Sequence, residues 1–366
     1  MSRSEKEEDL FDVLMSFKID SKPTYWVRYG NGHINKTYEV KTEKGGHYIL
    51  QKINNYIFKN VDMLMKNIDY VTSYLTQKGD ESLELVKTKN DEIYLNNNGD
   101  FYRLYIFVPN SATFEKIDAD SPLIKEASEA YGNLHRSLSA IDPSKLGEVL
   151  PDFHNTQKRF ENFLEALKIN HKNRKVDCEN EINDLIKYKE HYNKLIECIK
   201  KKEINLTVTH NDPKINNILF DKDTLKFRCV IDLDTVMPGS ILYDFGDALR
   251  SLFTGDNECS KDLSKLKVNF KIYKDYLFGY VSKMIDVLTP KEIELLPFSV
   301  FLITMELGIR FLDDYLRGDV YYPVYNPDDN LTRARTQITL AKDIYNNLDS
   351  LNKIRDEIIE EIKRNK

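Results

Sequence analysis

Residues Val208 to Asp247 read VTHNDPKINNILFDKDTLKFRCVIDLDTVMPGSILYDFGD, and this stretch decides the fold. Val208-Thr209 closes a short β-type run, and His210-Asn211-Asp212 leaves it as a loop. Asn217 to Phe220 and Phe227 to Leu233 predict two strands, joined as a hairpin by the turn formers Asp221-Lys-Asp-Thr224. Asp232, near the end of the second strand, returns beside the loop that carries Asp212 and Asn217. This arrangement suits phosphoryl transfer. One carboxylate accepts the proton of an incoming hydroxyl, while an amide oxygen and a second carboxylate hold magnesium on the phosphates. Magnesium prefers hard oxygen ligands and retains several waters, so two protein oxygens suffice.

The pattern His-x-Asp-x4-Asn, then Ile-Asp-x6-Gly-x4-Asp, is carried by His210, Asp212, Asn217, Asp232, Gly239 and Asp244. It resembles the aminoglycoside phosphotransferase and choline kinase superfamily. The strings HNDPKINN, VIDLDTVMPG and YDFGDALRS are similar to the bacterial N-acetylhexosamine 1-kinase branch. The resemblance implies that Asp212 is the catalytic base, Asn217 and Asp232 are metal ligands, and Asp244 braces the catalytic loop. Asp244-Phe-Gly246 spells the metal-binding motif of protein kinases, but lies further beyond Asn217 than that family's separation, and Asp232 takes the metal role. His210, at a strand corner, is expected to bond backbone rather than to react.

The chain has 366 residues, enough for two lobes, with 41% hydrophobic and 31% charged residues. A net charge of −6 argues against a nucleic-acid partner. Cys178, Cys198, Cys229 and Cys259 have no paired short spacing, which speaks against zinc and disulfides and for a reducing, cytoplasmic setting. The N-terminal MSRSEKEEDL lacks an apolar core, and no run reaches the length of a membrane helix, so neither a signal peptide nor a membrane span is expected.

Upstream, Leu10, Phe11, Val13, Leu14 and Phe17 predict a short amphipathic helix. Two strands then flank Gly30-Asn31-Gly32, a turn able to lay backbone N–H groups over phosphates. Gly32, His33, Asn35 and Lys36 are the candidate triphosphate contacts there, beside the reading of an ordinary hairpin. In the superfamily the next strand carries a cation for the phosphates. Lys52 is assigned that role, with Gln51 as the alternative at the aligned position. Val61 to Leu75 predicts an amphipathic helix whose Asp62 or Asp69 could pair with that lysine. A hairpin turning at Asn96 to Asp100 leads to Phe101–Pro109, where backbone at Phe107 and Val108 is placed against the adenine edge.

Downstream, Ser121-Pro122 opens a helix, and residues 157–204 predict a charged helical hairpin. His154 and Thr156, in a polar-aromatic loop, are taken as sugar contacts by resemblance to the hexosamine-kinase branch. Thr289-Pro-Lys-Glu292 is a capping box. Glu306, Arg310, Asp313 and Arg317 fall near one helical face. They suit either a salt-bridged surface or, for Arg310, a sugar-binding face. Asp234, placed on the side of Asp232 by strand alternation, is a candidate to hold a metal-bound water or the sugar. A long final helix carries Ile344 to Ile362.

The expected fold is α+β and protein-kinase-like. An antiparallel-sheet nucleotide lobe (1–108) precedes a mainly helical catalytic and substrate lobe (109–366). The expected reaction is transfer from ATP with Mg2+ to a small sugar, at the anomeric hydroxyl of N-acetylglucosamine or N-acetylgalactosamine. The rivals are an antibiotic kinase, a silent nucleotide-binding regulator and a hydrolytic metal centre.

Overall fold

The computed structural model describes residues 10–30 and 34–365, and the side chains of all of these except 256 and 257. The chain divides into two units, Met1–Ser111 with Leu146–Val149, and Ala112–Lys145 with Leu150–Lys366. The excursion at 146–149 is pinned by Asn67. Its Nδ2 donates to the Gly147 carbonyl at 2.8 Å and its Oδ1 accepts the Gly147 N–H at 3.0 Å.

The first unit holds α1 (Phe11–Met15), β1 (Pro23–Arg28), β2 (Lys36–Thr42), β3 (His47–Ile53), α2 (Val61–Lys78), β4 (Leu85–Val86), β5 (Leu95–Asn97) and β6 (Asp100–Ile106). Its antiparallel sheet runs β1-β2-β3-β6-β4, with β5 also on β6. Alternation sorts the side chains. Tyr38, Val40, Tyr48, Leu50, Tyr102 and Leu104 point to one face and bury α1 through Leu10, Val13, Leu14 and Phe17. Gln51 and Arg103, opposite one another in register, point to the other face, where Arg103 Nη1 lies 4.0 Å from Met65 Sδ of α2. The β5–β6 turn uses Asn98 and Gly99, both at positive φ, as a tight two-residue hairpin requires.

The chain passes through β7 (Ser111–Ala112) into the second unit. This holds α3 (Leu123–Leu138), α4 (Thr156–Ile169), α5 (Glu179–Lys187), α6 (Lys194–Lys200), β8 (Thr207–Thr209), β9 (Ile218–Asp221), β10 (Phe227–Val230), β11 (Met237–Gly239) and α7 (Ile241–Thr254). It ends in α8 (Phe270–Met284), α9 (Pro290–Arg317), α10 (Asp329–Asn346) and α11 (Leu348–Arg364). The expected 157–204 hairpin is three helices, α4 to α6, with 3-10 turns between them. The capping box forms as predicted. Thr289 Oγ1 accepts the Glu292 N–H at 3.1 Å, and Glu292 accepts the Thr289 N–H at 2.8 Å.

Helix α9 is the axis of this unit and packs against α4, α7 and α10. It is long and apolar enough to cross a membrane by length and composition, contrary to the expectation that no run approaches that length. Here 83% of its apolar window is buried inside the protein, so its hydrophobicity is that of a core helix.

Candidate active site

The two short antiparallel pairs β8–β11 and β9–β10 frame the loop 210–217. Its backbone turns at Asn211, in the left-handed region at φ 65°, a conformation that asparagine tolerates better than most residues. The Asn211 side chain then bonds the carbonyl of Thr235 at 2.9 Å and the hydroxyl of Thr209 at 3.0 Å, tying the loop to β8 and to the segment before β11. Gly239 is required at this crossing. A Cβ there would stand 2.2 Å from Thr209 Oγ1 and 2.7 Å from Asn211 Oδ1.

Asp244, on the first turn of α7, supports the loop from beneath. Its Oδ2 accepts the His210 N–H at 2.8 Å and its Oδ1 the Asn211 N–H at 2.8 Å. His135 Nε2 of α3 lies 2.7 Å from Oδ2, and His135 Nδ1 lies 2.8 Å from the Tyr280 hydroxyl. Burial pushes the Asp244 carboxyl up, but His135, His210 and these bonds outweigh it and hold it below the usual carboxylate range. His210 Nε2 sits 2.9 Å from the Ile231 carbonyl, so this histidine is bonded to backbone. His135 is itself wholly buried against this carboxylate.

Asp212 projects from this braced loop with its carboxylate about a third exposed. Its Oδ1 is paired with Lys214 Nζ at 2.8 Å. Burial raises its pKa, yet Lys214, His210 and Arg250 together bring it below its ordinary value. The group is ionised through the neutral range. Lys214, two residues further on and raised in turn by Asp212, was overlooked in the sequence, although its place beside the base was readable from the motif. Arg250 and Asp247, paired at 2.5 Å on the buried side of α7, complete the charges around Asp212.

Asn217 donates its Nδ2 to the Asp212 carbonyl at 2.9 Å, which directs the amide oxygen away from that bond. The Asn217 carbonyl accepts the Ile231 N–H at 2.8 Å, placing Asp232 beside it across the β9–β10 hairpin. Strand β10 ends at Val230, and Asp232 is exposed in the left-handed region at φ 58°. Such backbone is costly for a non-glycine residue and concentrates at functional sites. A 3-10 turn, Leu233–Thr235, follows directly. The strand alternation used to place Asp234 on the Asp232 side therefore does not apply, and Asp234 is buried. Among the described residues no group of three or more His, Cys, Asp or Glu could hold a metal ion. An amide oxygen beside an exposed carboxylate does fit magnesium, which takes its remaining ligands from phosphates and water.

Behind the loop, Glu306 of α9 is fully buried. His154 Nδ1 lies 2.9 Å from its Oε1, and Thr156 Oγ1 donates to its Oε2 at 2.5 Å. His154 Nε2 reaches the Asn211 carbonyl at 2.9 Å, and its ring stacks on Tyr243. His154 and Thr156 thus differ from the expected sugar contacts. Their polar atoms join α9 to the catalytic loop, and Thr156 is entirely buried. Burial lowers the His154 pKa, but Glu306 outweighs it and raises it. Glu306 is lowered, with His154 overcoming burial.

One turn along α9, the Arg310 guanidinium lies 5.0 Å from the Phe153 ring and 5.8 Å from the Tyr322 ring. Among the described residues it has no hydrogen bond or ion pair. Further along, Arg317 pairs with Asp313 at 3.0 Å, a half-buried ion pair rather than a surface one.

In the first unit the candidate nucleotide residues are dispersed. Gly32 and His33 lie outside the described residues. Asn35 is buried, and its Oδ1 accepts the Asn54 N–H at 2.9 Å, a structural bond. Lys52 lies on the α1 face of the sheet, with Nζ 2.6 Å from Asp100 Oδ2. Gln51 takes the opposite face. It donates to Thr37 Oγ1 at 3.1 Å and accepts from Arg103 Nε at 2.9 Å. The one-residue offset between Gln51 and Lys52 reverses the face, which is why the lysine expected toward α2 points away from it. Asp62 pairs with Lys66 at 2.7 Å, at the surface of α2 rather than with Lys52. The Phe107 N–H is bonded to the His47 carbonyl at 3.0 Å, with the two rings stacked at 3.7 Å. The Val108 carbonyl accepts the Ser111 hydroxyl at 2.7 Å.

An antiparallel sheet with one long helix, followed by a helical unit carrying a braced Asp–Asn loop and a returning aspartate, defines a kinase-like phosphotransferase. Residues 26–265 match the phosphotransferase enzyme family, that of the aminoglycoside phosphotransferases, and the chain belongs to it. Three solved structures share the fold. An amicoumacin kinase in complex with AMP-PNP and Ca2+ aligns with a TM-score of 0.63 at 15% identity, over 91% of this chain and 93% of that one. An aminoglycoside phosphotransferase from Alicyclobacillus acidocaldarius aligns at 0.61 and 12%, over 97% and 98%. A choline kinase from Cryptosporidium parvum aligns at 0.59 and 13%, over 89% and 90%. The chain is accordingly a nucleotide-dependent phosphotransferase acting on a small hydroxyl compound.

Proposed function

We propose that this protein transfers the γ-phosphoryl group of ATP to the anomeric hydroxyl of an N-acetylhexosamine. Asp212 orients that hydroxyl and accepts its proton as the sugar oxygen bonds to phosphorus and the bond to the departing ADP breaks. A depressed carboxyl pKa suits the task, because an anomeric hydroxyl is more acidic than an ordinary alcohol. Asn217 and Asp232 would hold magnesium, which when bound neutralises charge on the phosphates. Lys214 keeps the base ionised and, once the acceptor occupies Asp212, places a cation close to the transferring group. Phe107 and Val108 remain the backbone assigned to the adenine edge.

The observation that carries the acceptor class is Arg310. It is a guanidinium beside aromatic rings with no hydrogen bond of its own among the described residues, while the neighbouring acids are engaged. Glu306 serves His154 and Thr156, and Asp313 serves Arg317. A guanidinium whose donors are unspent can bond the oxygens of a neutral acceptor, such as an acylamino sugar, where a polycationic drug would offer it only like charge.

The test is magnesium-dependent ADP release from ATP with N-acetylglucosamine, N-acetylgalactosamine, glucose, choline and kanamycin as acceptors. Turnover confined to the two N-acetylhexosamines, with the phosphate located at C1 by NMR, is the expected result. Turnover with kanamycin or choline alone would overturn the sugar reading. Arg310→Ala should raise the KM for the sugar by about tenfold, on the order of one buried charged hydrogen bond. A variant that loses only melting temperature would return Arg310 to a structural role.

A further inference from the structure

Helix α9 carries three buried or half-buried charges one turn apart, Glu306, Arg310 and Asp314. The first is consumed in bracing the catalytic loop. The third, Asp314, is 2% exposed and is spent on the segment that follows the helix. Its Oδ1 accepts the N–H groups of Val320 and Tyr321, and its Oδ2 those of Tyr322 and the Asn330 amide, all at 2.9 Å. Three successive backbone N–H groups on one carboxylate form a closed cradle, with Asn330 as the fourth donor.

The cradle has a second fastening. Helix α9 ends at Gly318 in the left-handed region, and Asp319 follows at φ 61°. Asp319 Oδ1 accepts from the same Asn330 amide at 3.0 Å, and its Oδ2 from Arg174 Nη1 at 2.6 Å, while Arg174 also bonds the Tyr315 carbonyl at 2.8 Å. The segment so held presents Tyr322 to Arg310 and to Phe311, whose ring centroid is 4.6 Å away, with Tyr321 edge-on to Tyr322 at 4.8 Å. Val320, Tyr321 and Tyr325 lie outermost, 70%, 52% and 83% exposed.

We infer that Asp314 is a positioning residue for acceptor specificity. It touches no acceptor itself, and it fixes 319–322 as an aromatic wall beside Arg310, against which the apolar face of a sugar ring can lie while Arg310 bonds its oxygens. The inference rests on the acceptor site proposed above. It assigns recognition to a backbone-clamped wall rather than to the side chains of the catalytic loop.

Asp314→Asn tests it, because the amide keeps the volume but offers one acceptor atom in place of two. Expected are a rise of tenfold or more in the KM for N-acetylglucosamine, with the KM for ATP and the kcat at saturating sugar changed less than threefold. Chymotrypsin should also nick the variant after Tyr321 and Tyr325 at least fivefold faster than the wild type. Arg174→Met, which removes only the outer fastening, should show both effects in weaker form and guards against a variant that fails to fold. An unchanged sugar KM, or an equal rise in both KM values, would overturn the positioning role. Unchanged nicking would overturn the clamp even if the wild type phosphorylates none of the acceptors. Faster nicking with no sugar turnover would keep the clamp and overturn its link to a sugar.

Discussion

Asp244→Asn is the substitution that most directly tests how the catalytic loop is held. In the wild type, one carboxylate oxygen serves the Asn211 N–H and the other serves the His210 N–H and His135 Nε2, inside a site from which solvent is excluded. Asparagine preserves the shape and removes one acceptor. In either orientation of the amide, its NH2 group faces a donor. One charge-assisted bond, about 1.5–3 kcal/mol, is lost, and a buried N–H is left unmatched at about 1–3 kcal/mol. Allowing for overlap between the two, the expected destabilisation is about 3–5 kcal/mol. For a unit of this size that lowers Tm by about 6–10 °C. The pH dependence adds a signature. The folded-state pKa of Asp244 is depressed, so its stabilisation is present above the unfolded value and is lost as pH falls through the folded one. Melting of wild type and variant by calorimetry should differ by a constant amount from pH 6 to 8 and converge below about pH 4, near the ordinary aspartate pKa. Turnover should fall with stability because the loop carrying Asp212 loosens. A variant melting within a degree of wild type, with kcat/KM within twofold, would refute the account of Asp244 as the loop's support.

Asp212→Asn should lower kcat by about 10²–10⁴, the range for a lost general base, while nucleotide affinity is retained by fluorescence titration. Lys214→Met removes the cation that holds Asp212 down. Its acid limb in a kcat/KM–pH profile should therefore move to higher pH than in wild type, and an unmoved limb would detach Lys214 from the base. Glu306→Gln breaks a buried ion pair on one side and should cost about 3–5 kcal/mol by chemical denaturation. Because the folded pKa of His154 is raised, its share of that stability is complete below about pH 6.5 and fades as pH rises through the higher folded value.

Some of this was legible in one dimension because its causes are local. The hairpin turn residues between β9 and β10 and the capping box of α9 act over a few residues. The structure reproduces each of them, with β10 ending at Val230 rather than Leu233. The order His-x-Asp-x4-Asn was readable too, since five residues of loop and one hairpin suffice to bring Asp212, Asn217 and Asp232 together. Residue pairs separated by much longer stretches of chain were not. His135 meets Asp244 and His154 meets Glu306 across more than a hundred residues, and nothing in the local pattern distinguishes such a histidine from an ordinary one.

By itself, then, the sequence determined the two-part α+β architecture and the course of the 210–217 loop with the hairpin beside it, because these depend on short-range geometry. Only the tertiary structure decided which charges are committed. It turned His154 and Thr156 from sugar contacts into supports, set Lys52 on the α1 face against Asp100, and gave Asp314 to the backbone of 319–322. It left Arg310 among aromatic rings with no bond of its own among the described residues. A charged side chain acts according to the partners and solvent around it, and those are assembled only when distant helices pack.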